Sequence, residues 1–256
     1  MTAALPDPVA PMLALPARAM GVITPSANLV VERVTAAVLK SFPDISAHYS
    51  RSPVRGSKDP FPASYNLDGM LGAARLLGDA SVEAIVWNGS KGASIGFAHD
   101  RDLAAAITRE TGIAATTSVL AIDADLQRRG ITRVGVVTPY RRDEQERLCA
   151  VLEAEGYRVV AEAHSGVADN LAFMRVPPAE IAAMVGQVAA ARPEAVLTLC
   201  TNFPAAFQVA ALEAAIGLPV YDTTLAGVWA GLVAVGIDTR PGAAAWGRMF
   251  VGGRPS

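Results

Sequence analysis

What this 256-residue chain lacks narrows it first. It has two cysteines, Cys149 and Cys200, and three histidines, His48, His99 and His164. Two thiols make no disulfide framework, and no pair of Cys or His residues has the spacing of a zinc site. A reducing, cytoplasmic setting is therefore expected. Charge is scarce: 18% of the residues are Asp, Glu, Lys or Arg, and the formal net charge is -2. That balance gives no electrostatic pull towards nucleic acid or an anionic membrane surface. A run of about 18 or more apolar residues, as a membrane span needs, is also missing. The apolar-looking start, MTAALPDPVAPMLALPARAM, has no basic opening, contains Asp7, and is broken by Pro6, Pro8, Pro11 and Pro16. It reads neither as a signal peptide nor as a spanning helix. Residues 1–18 are expected to form a loose tail on a soluble protein.

Apolar residues are abundant, at 52% of the chain, enough to bury a sizeable core. Short β-branched runs alternate with longer alanine-rich ones. The pattern predicts strands at 20–24, 83–87, 133–138, 158–162, 195–200 and 219–221. It predicts helices over 27–41, 67–78, 99–111, 117–129, 142–156, 178–191, 204–216 and 224–235. Helix 142–156 is the clearest, with Leu148, Val151 and Leu152 as an apolar stripe, charged residues opposite, and Gly156 as its stop. Such alternation indicates an α/β protein with parallel sheets covered on both faces.

The chain repeats itself. GVITPS from Gly21 matches GVVTPY from Gly135, EAIVWNGS from Glu83 matches EAVLTLCT from Glu194, and TGIAATTS from Thr111 matches IGLPVYDTT from Ile216. The offsets are 114, 111 and 105 residues, in the same order along the chain, which argues for two copies of one α/β unit. Parallel α/β units carry their functional loops at the carboxyl ends of the strands. Here those loops are 24–28 with Ser26 and Asn28, 88–90 with Asn88, Gly89 and Ser90, 138–140 with Tyr140, and 200–202 with Cys200, Thr201 and Asn202. Three of the four open a predicted helix, whose unpaired N–H groups favour a carboxylate. Plain helix capping by Ser, Thr and Asn is the competing explanation.

Cys200, at the end of an apolar strand and beside polar donors, is a candidate nucleophile or acid. A buried structural cysteine is the alternative. Cys149, mid-helix beside Leu148 and Val151, reads as core. The three histidines read as surface or capping residues. The glycines of NGSKGASIG at 88–96 match neither a P-loop nor a dinucleotide fingerprint, so no nucleotide cofactor is expected. The segment 51–66, RSPVRGSKDPFPASYN, reads as a long surface loop, either a lid over the site or a plain solvated connection.

Taken together, GVITPSAN at 21–28, TPY at 138–140 and LTLCTN at 197–202 resemble the Asp/Glu racemase superfamily, and within it the maleate isomerase and arylmalonate decarboxylase branch. The likeness runs from about residue 20 to residue 240, and ETGIAATTSVLAIDADLQRRGITRVGVVT at 110–138 is especially close. The resemblance implies two pseudo-symmetric α/β subdomains with the site between them. The expected division is a first subdomain over 19–125, with a C-terminal helix 224–250 packing back on it, and a second over 126–223. In the racemases and maleate isomerases each half supplies a cysteine. Here the second is Cys200, while the matching first-half position falls at Asn88 or Gly89, neither of which is a thiol. The arylmalonate decarboxylases likewise keep only the second cysteine. In them it protonates an enediolate held by a dioxyanion hole. Those donors map here onto Ser90, Tyr140, the Cys200 thiol and the backbone N–H of Thr201. The family's threonine before that serine is Gly89, its glycine is Asn88, and Lys91 has no counterpart with an assigned role.

The resemblance thus implies an enzyme with no metal and no organic cofactor, acting on a small carboxylate or dicarboxylate. A decarboxylating lyase is the leading expectation. An isomerase of the maleate or racemase type is the second, since Asn28, Tyr140, Asn202 and Cys200 resemble that branch. A non-catalytic carboxylate-binding protein is the third. The superfamily includes monomers and dimers, which leaves a homodimer open.

Overall fold

Eight parallel strands, four in each of two sheets, carry the fold of the residues described, 16–54 and 63–252, in a computed structural model. The first sheet holds β1 (Arg18–Pro25), β2 (Ile45–Ser52), β3 (Ala84–Trp87) and β4 (Ala114–Thr117), in the order β2-β1-β3-β4. The second holds β5 (Arg133–Thr138), β6 (Arg158–His164), β7 (Ala195–Thr198) and β8 (Val220–Asp222), in the order β6-β5-β7-β8. Both orders are the same 2-1-3-4 pattern. The α/β architecture with two pseudo-symmetric parallel sheets is therefore the one the repeat implied. Residues 1–15 of the expected tail and 55–62 of the expected lid lie outside the described residues.

The central strands form where the sequence is continuously apolar. All four residues of β3 and all four of β7 are buried, as a strand covered on both faces requires. β2 and β4 were not expected. Both are edge strands, and their sequences, ISAHYSRS and AATT, carry no apolar run. β7 also ends earlier than expected: its last residue is Thr198, and Leu199 and Cys200 already belong to the loop.

The longer helices are α1 (Val31–Leu39), α2 (Leu67–Asp79), α3 (Phe97–Thr111), α4 (Ser118–Arg128), α5 (Arg142–Ala154), α6 (Pro178–Ala189), α7 (Val209–Ile216) and α8 (Thr223–Ala234). None among the described residues is long and apolar enough to cross a membrane. The segment 224–250 is not one helix. α8 ends at Ala234, Gly236 turns the chain at φ +78°, and only short 3-10 and single-turn helices follow.

Matching positions of the repeat do matching structural work. Gly112 and Gly217 end α3 and α7 in the left-handed region, at φ 72° and 74°, a conformation that favours glycine. Thr117 caps α4 by accepting from the Leu120 N–H, and Asp222 caps α8 by accepting from the N–H groups of Thr224 and Leu225. Glu83 accepts from the Ala19 N–H, and Glu194 from the N–H groups of Thr132 and Arg133.

The two halves exchange helices. α4 follows the first sheet, yet its Val119, Ile122 and Leu126 join the core with Val134, Leu197 and Tyr221 of the second. The Tyr221 hydroxyl donates to Asp125 of α4 at 2.8 Å. α8 follows the second sheet and packs on β1, β3 and α1 of the first. There a Cβ on Gly231 would stand 2.5 Å from the Met20 sulfur. α4 and α8 also pack on each other. Neither sheet covers its faces with its own helices alone, so the halves are bound through their cores as well as along their rims.

Candidate active site

The loops leaving β1, β3, β5 and β7 meet at a cleft of about 570 Å³, within the usual size of a small-molecule site. Of the residues expected there, Asn28, Ser90, Tyr140, Cys200, Thr201 and Asn202 line it. Ser26, Asn88 and Gly89 are not among its lining residues. Ser26 is exposed and staples β1 to the chain after β2: its hydroxyl accepts from the Val54 N–H at 3.1 Å and donates to the Val54 carbonyl at 3.2 Å. Asn88 is buried between the exchanged helices. Its amide donates to the Thr224 carbonyl of α8 at 3.1 Å, and its side-chain oxygen accepts from the Ser118 hydroxyl of α4 at 3.1 Å.

Sheet register identifies the first-half counterpart of Cys200. The Asn88 N–H donates to the Ile23 carbonyl, and the Leu199 N–H to the Val137 carbonyl. Ile23 and Val137 are repeat equivalents, so Asn88 matches Leu199, and Gly89 matches Cys200. The backbone thus favours Gly89 over Asn88 as the first-half counterpart of Cys200.

Cys200 is 4% exposed. Burial pushes its thiol up to about 12. The Tyr140 hydroxyl and the backbone N–H groups of Asn202 and Phe203 hydrogen-bond the sulfur and work the other way, while the charge of Asp222 adds to the rise. Burial wins, so the group is a neutral thiol near pH 7. Tyr140 reaches it from the loop after β5. The Tyr140 N–H donates to the Thr138 hydroxyl, which in turn donates to the Gln145 side chain at 2.6 Å. Its ring stands edge-on to Phe173 with centroids 5.4 Å apart. Burial, and then the neighbouring Cys200, hold its hydroxyl well above the ordinary tyrosine range, so it keeps its proton. The Ser90 and Tyr140 hydroxyl oxygens are 3.1 Å apart. Ser90, Tyr140 and Cys200 therefore form one row of polar hydrogens across the cleft, each able to turn towards a bound oxyanion.

Asn28 and Asn202 tie the halves together. The Asn28 side-chain oxygen accepts from the Val30 and Val31 N–H groups at 2.8 Å each, and its amide donates to the Thr201 hydroxyl at 3.1 Å. The Asn202 side-chain oxygen accepts from the Leu29 N–H at 3.0 Å, and its amide donates to the Asn170 carbonyl at 2.7 Å. Capping, the competing explanation for Asn28, is real, and it coexists with a place in the cleft wall.

Sequence reasoning missed much of that wall. Tyr65, Met70, Trp87 and Phe173 supply its apolar part, and Ser52 a buried hydroxyl with no hydrogen-bond partner among the described residues. Trp87 is held by a buried network: its indole N–H donates to the Tyr65 hydroxyl at 3.2 Å, and Tyr65 donates to Asp100. Asp100 also accepts from the Thr117 hydroxyl at 2.5 Å, and burial raises its carboxyl to about 6. Tyr65 sits in the segment read as a surface loop, and nothing in its local sequence marks it as a wall residue. Cys149 lines neither the cleft nor its rim, and burial pushes its thiol up to about 12. Among the described residues no three or more His, Cys, Asp or Glu side chains cluster as metal ligands.

The chain is similar to known proteins of two kinds. The chain is 27% identical over 221 residues to the maleate isomerase of Nocardia farcinica, covering 83% of this chain and 88% of that one. It is 29% identical over 159 residues to the arylmalonate decarboxylase of Bordetella bronchiseptica, covering 60% and 65%. The maleate isomerase of Pseudomonas putida with maleate superposes with a TM-score of 0.83 at 23% identity, over 93% of this chain and 99% of that one, which shows the shared fold. The sequence profile of the arylmalonate decarboxylase family matches residues 62–250, from just before α2 through the loop of Cys200 to the C-terminal turns, and the chain belongs to that family.

Proposed function

We propose that the protein is a cofactor-independent carbon–carbon lyase that decarboxylates a small malonate-type acid, with Cys200 as the proton donor. The observation that carries this reading is the state of the thiol: buried, bonded to Tyr140, and neutral near pH 7. A neutral thiol is an acid, and a poor nucleophile. In the proposed reaction the bond from the α-carbon to one carboxylate breaks, carbon dioxide leaves, and the electron pair spreads over the remaining carboxylate as an enediolate. Ser90, Tyr140, the Cys200 thiol and the Thr201 N–H donate to its oxygens, and each such donor contributes about 3 kcal/mol where the charge develops. Cys200 then gives its proton to one face of the α-carbon, and the resulting thiolate regains a proton from solvent. The sulfur's own donors, the Tyr140 hydroxyl and the N–H groups of Asn202 and Phe203, ease that transient charge. Gly89, the register counterpart of Cys200, supplies no second acid, so protonation is one-sided.

The test is carbon dioxide release from a panel of substituted malonates. Turnover by the wild type and a loss of about 10²–10⁴-fold in Cys200→Ala are expected. Equal turnover by the variant would refute the assignment.

A cis–trans isomerase of a maleate-like dicarboxylate is the second reading, favoured by the 88% coverage of the Nocardia enzyme. There Cys200 attacks as a thiolate, which its raised pKa opposes. Proton NMR of maleate with enzyme decides it: fumarate supports this reading, and none at high enzyme load rejects it. Either activity suits the reducing cytoplasm, where we place the protein. Every chain carries its own donor set, so a homodimer would hold two independent sites.

A further inference from the structure

The proposed chemistry leaves Lys91 without a task. It follows Ser90 in the loop after β3, and its side chain lines the same cleft as Cys200, Tyr140 and Glu144. The other charged residues of the lining differ from it in setting. Arg141 and Asp143 pair with each other and are exposed. Asp169 is exposed and accepts from the Leu171 N–H, and Arg147 is exposed too. Lys91 is partly withdrawn from water, and that desolvation lowers its pKa. Of its charged neighbours, Glu144 favours its ammonium form and Arg147 opposes it.

An ammonium withdrawn from water costs free energy unless an anion answers it. Glu144, half-buried, favours that ammonium, and a substrate carboxylate entering the cleft would add to it. The decarboxylation itself does not benefit from a cation there. A cation beside the departing carboxylate would stabilise the bound acid more than the transition state, in which that charge moves to the enediolate. We infer that Lys91 binds a carboxylate that the substrate keeps throughout the reaction, so that the cleft prefers acids carrying this further carboxylate to those carrying a plain aryl group. The inference deepens the proposed function and rests on its reading of the cleft as the reacting site. In this role Lys91 positions the substrate and takes no part in proton transfer.

The experiment compares ethane-1,1,2-tricarboxylate with phenylmalonate in the wild type, Lys91→Met and Lys91→Arg. The wild type should favour the triacid in kcat/KM by about tenfold or more, as one charge-assisted contact provides. Lys91→Met should erase that preference through KM, and Lys91→Arg should retain most of it. No preference in the wild type, or an equal loss on both acids in Lys91→Met, overturns the inference. Calorimetric binding of succinate and butyrate separates this inference from the lyase reading. If the wild type decarboxylates neither malonate, the lyase reading fails, and the titrations alone judge Lys91. A succinate preference that Lys91→Met removes and Lys91→Arg keeps supports the inference. A preference absent from the wild type, or unchanged in Lys91→Met, rejects it.

Discussion

Gly89 and Cys200 hold the same register position in two sheets of the same strand order, and the halves use it in opposite ways. Two residues earlier stand Trp87 and Thr198, the last residues of β3 and β7. Thr198 is small and is turned into its own half, where it donates to Asp222 at 2.9 Å. That leaves room for the Cys200 side chain. Trp87 instead lays its indole over Gly89, where a Cβ would stand 2.3 Å from the ring. The first half gives this position to an aromatic wall, and the second gives it to a thiol. The lone thiol is thus part of a packing difference that extends through Trp87, Tyr65 and Asp100, and more than one residue separates this site from a symmetric one.

The largest effect that probes this asymmetry is on catalysis. Tyr140 belongs to the second half and touches the thiol, whereas Ser90 belongs to the first and touches Tyr140. Tyr140→Phe should lower kcat about 10²–10³-fold, and Ser90→Ala about tenfold, measured on the best malonate. Equal losses would mean that the two halves contribute alike.

A smaller effect concerns the support of the aromatic wall. Asp100 has its carboxyl raised from 3.8 to about 6. Between those values the unfolded chain has released a proton that the folded chain still holds. Stability should therefore fall as pH rises through this window, by about 3 kcal/mol in all. Urea midpoints taken across it should decline in the wild type and decline less steeply in Asp100→Asn, where Asp222, raised to about 7, still contributes. A rise with pH would contradict the assignment of burial as the dominant cause.

Gly89→Ala comes next. Its Cβ must displace the Trp87 ring, at a cost of about 2 kcal/mol read as a lower unfolding temperature. No loss would show that the indole moves freely and that the halves differ less than their packing suggests. The smallest effect tests where the halves agree. Gly112→Ala and Gly217→Ala, both at left-handed helix ends with open space beside them, should each cost about 1 kcal/mol. Clearly unequal costs in chemical denaturation would break the equivalence of the two units.

The apolar runs at 20–24, 83–87 and 133–138 marked their strands because a strand buried on both faces must be apolar throughout. β2 was hidden by the opposite logic: an edge strand with half-exposed residues can be written as ISAHYSRS. In the site, Tyr140, Cys200 and Ser90 were legible from the repeat and the family likeness. Ser26 and Asn88 were equally plausible as sequence, since short polar side chains after a strand cap and crosslink as readily as they bind. Their commitments, to Val54 and to the exchanged helices, are contacts with residues distant in the chain. Trp87 and Tyr65 gave no signal, because the wall depends on which way their rings turn.

By itself the sequence determined a twice-written α/β unit, its strand-end loops, and a thiol in one copy with none in the other, because periodicity and repeat are local properties of the chain. Only the tertiary structure decided that α4 and α8 change places, that Gly89 rather than Asn88 holds the register position of Cys200, and that burial keeps that thiol protonated. Each of these depends on what packs against a residue from far along the chain, and burial in particular is a property of the surroundings that no residue's own neighbours in sequence can set.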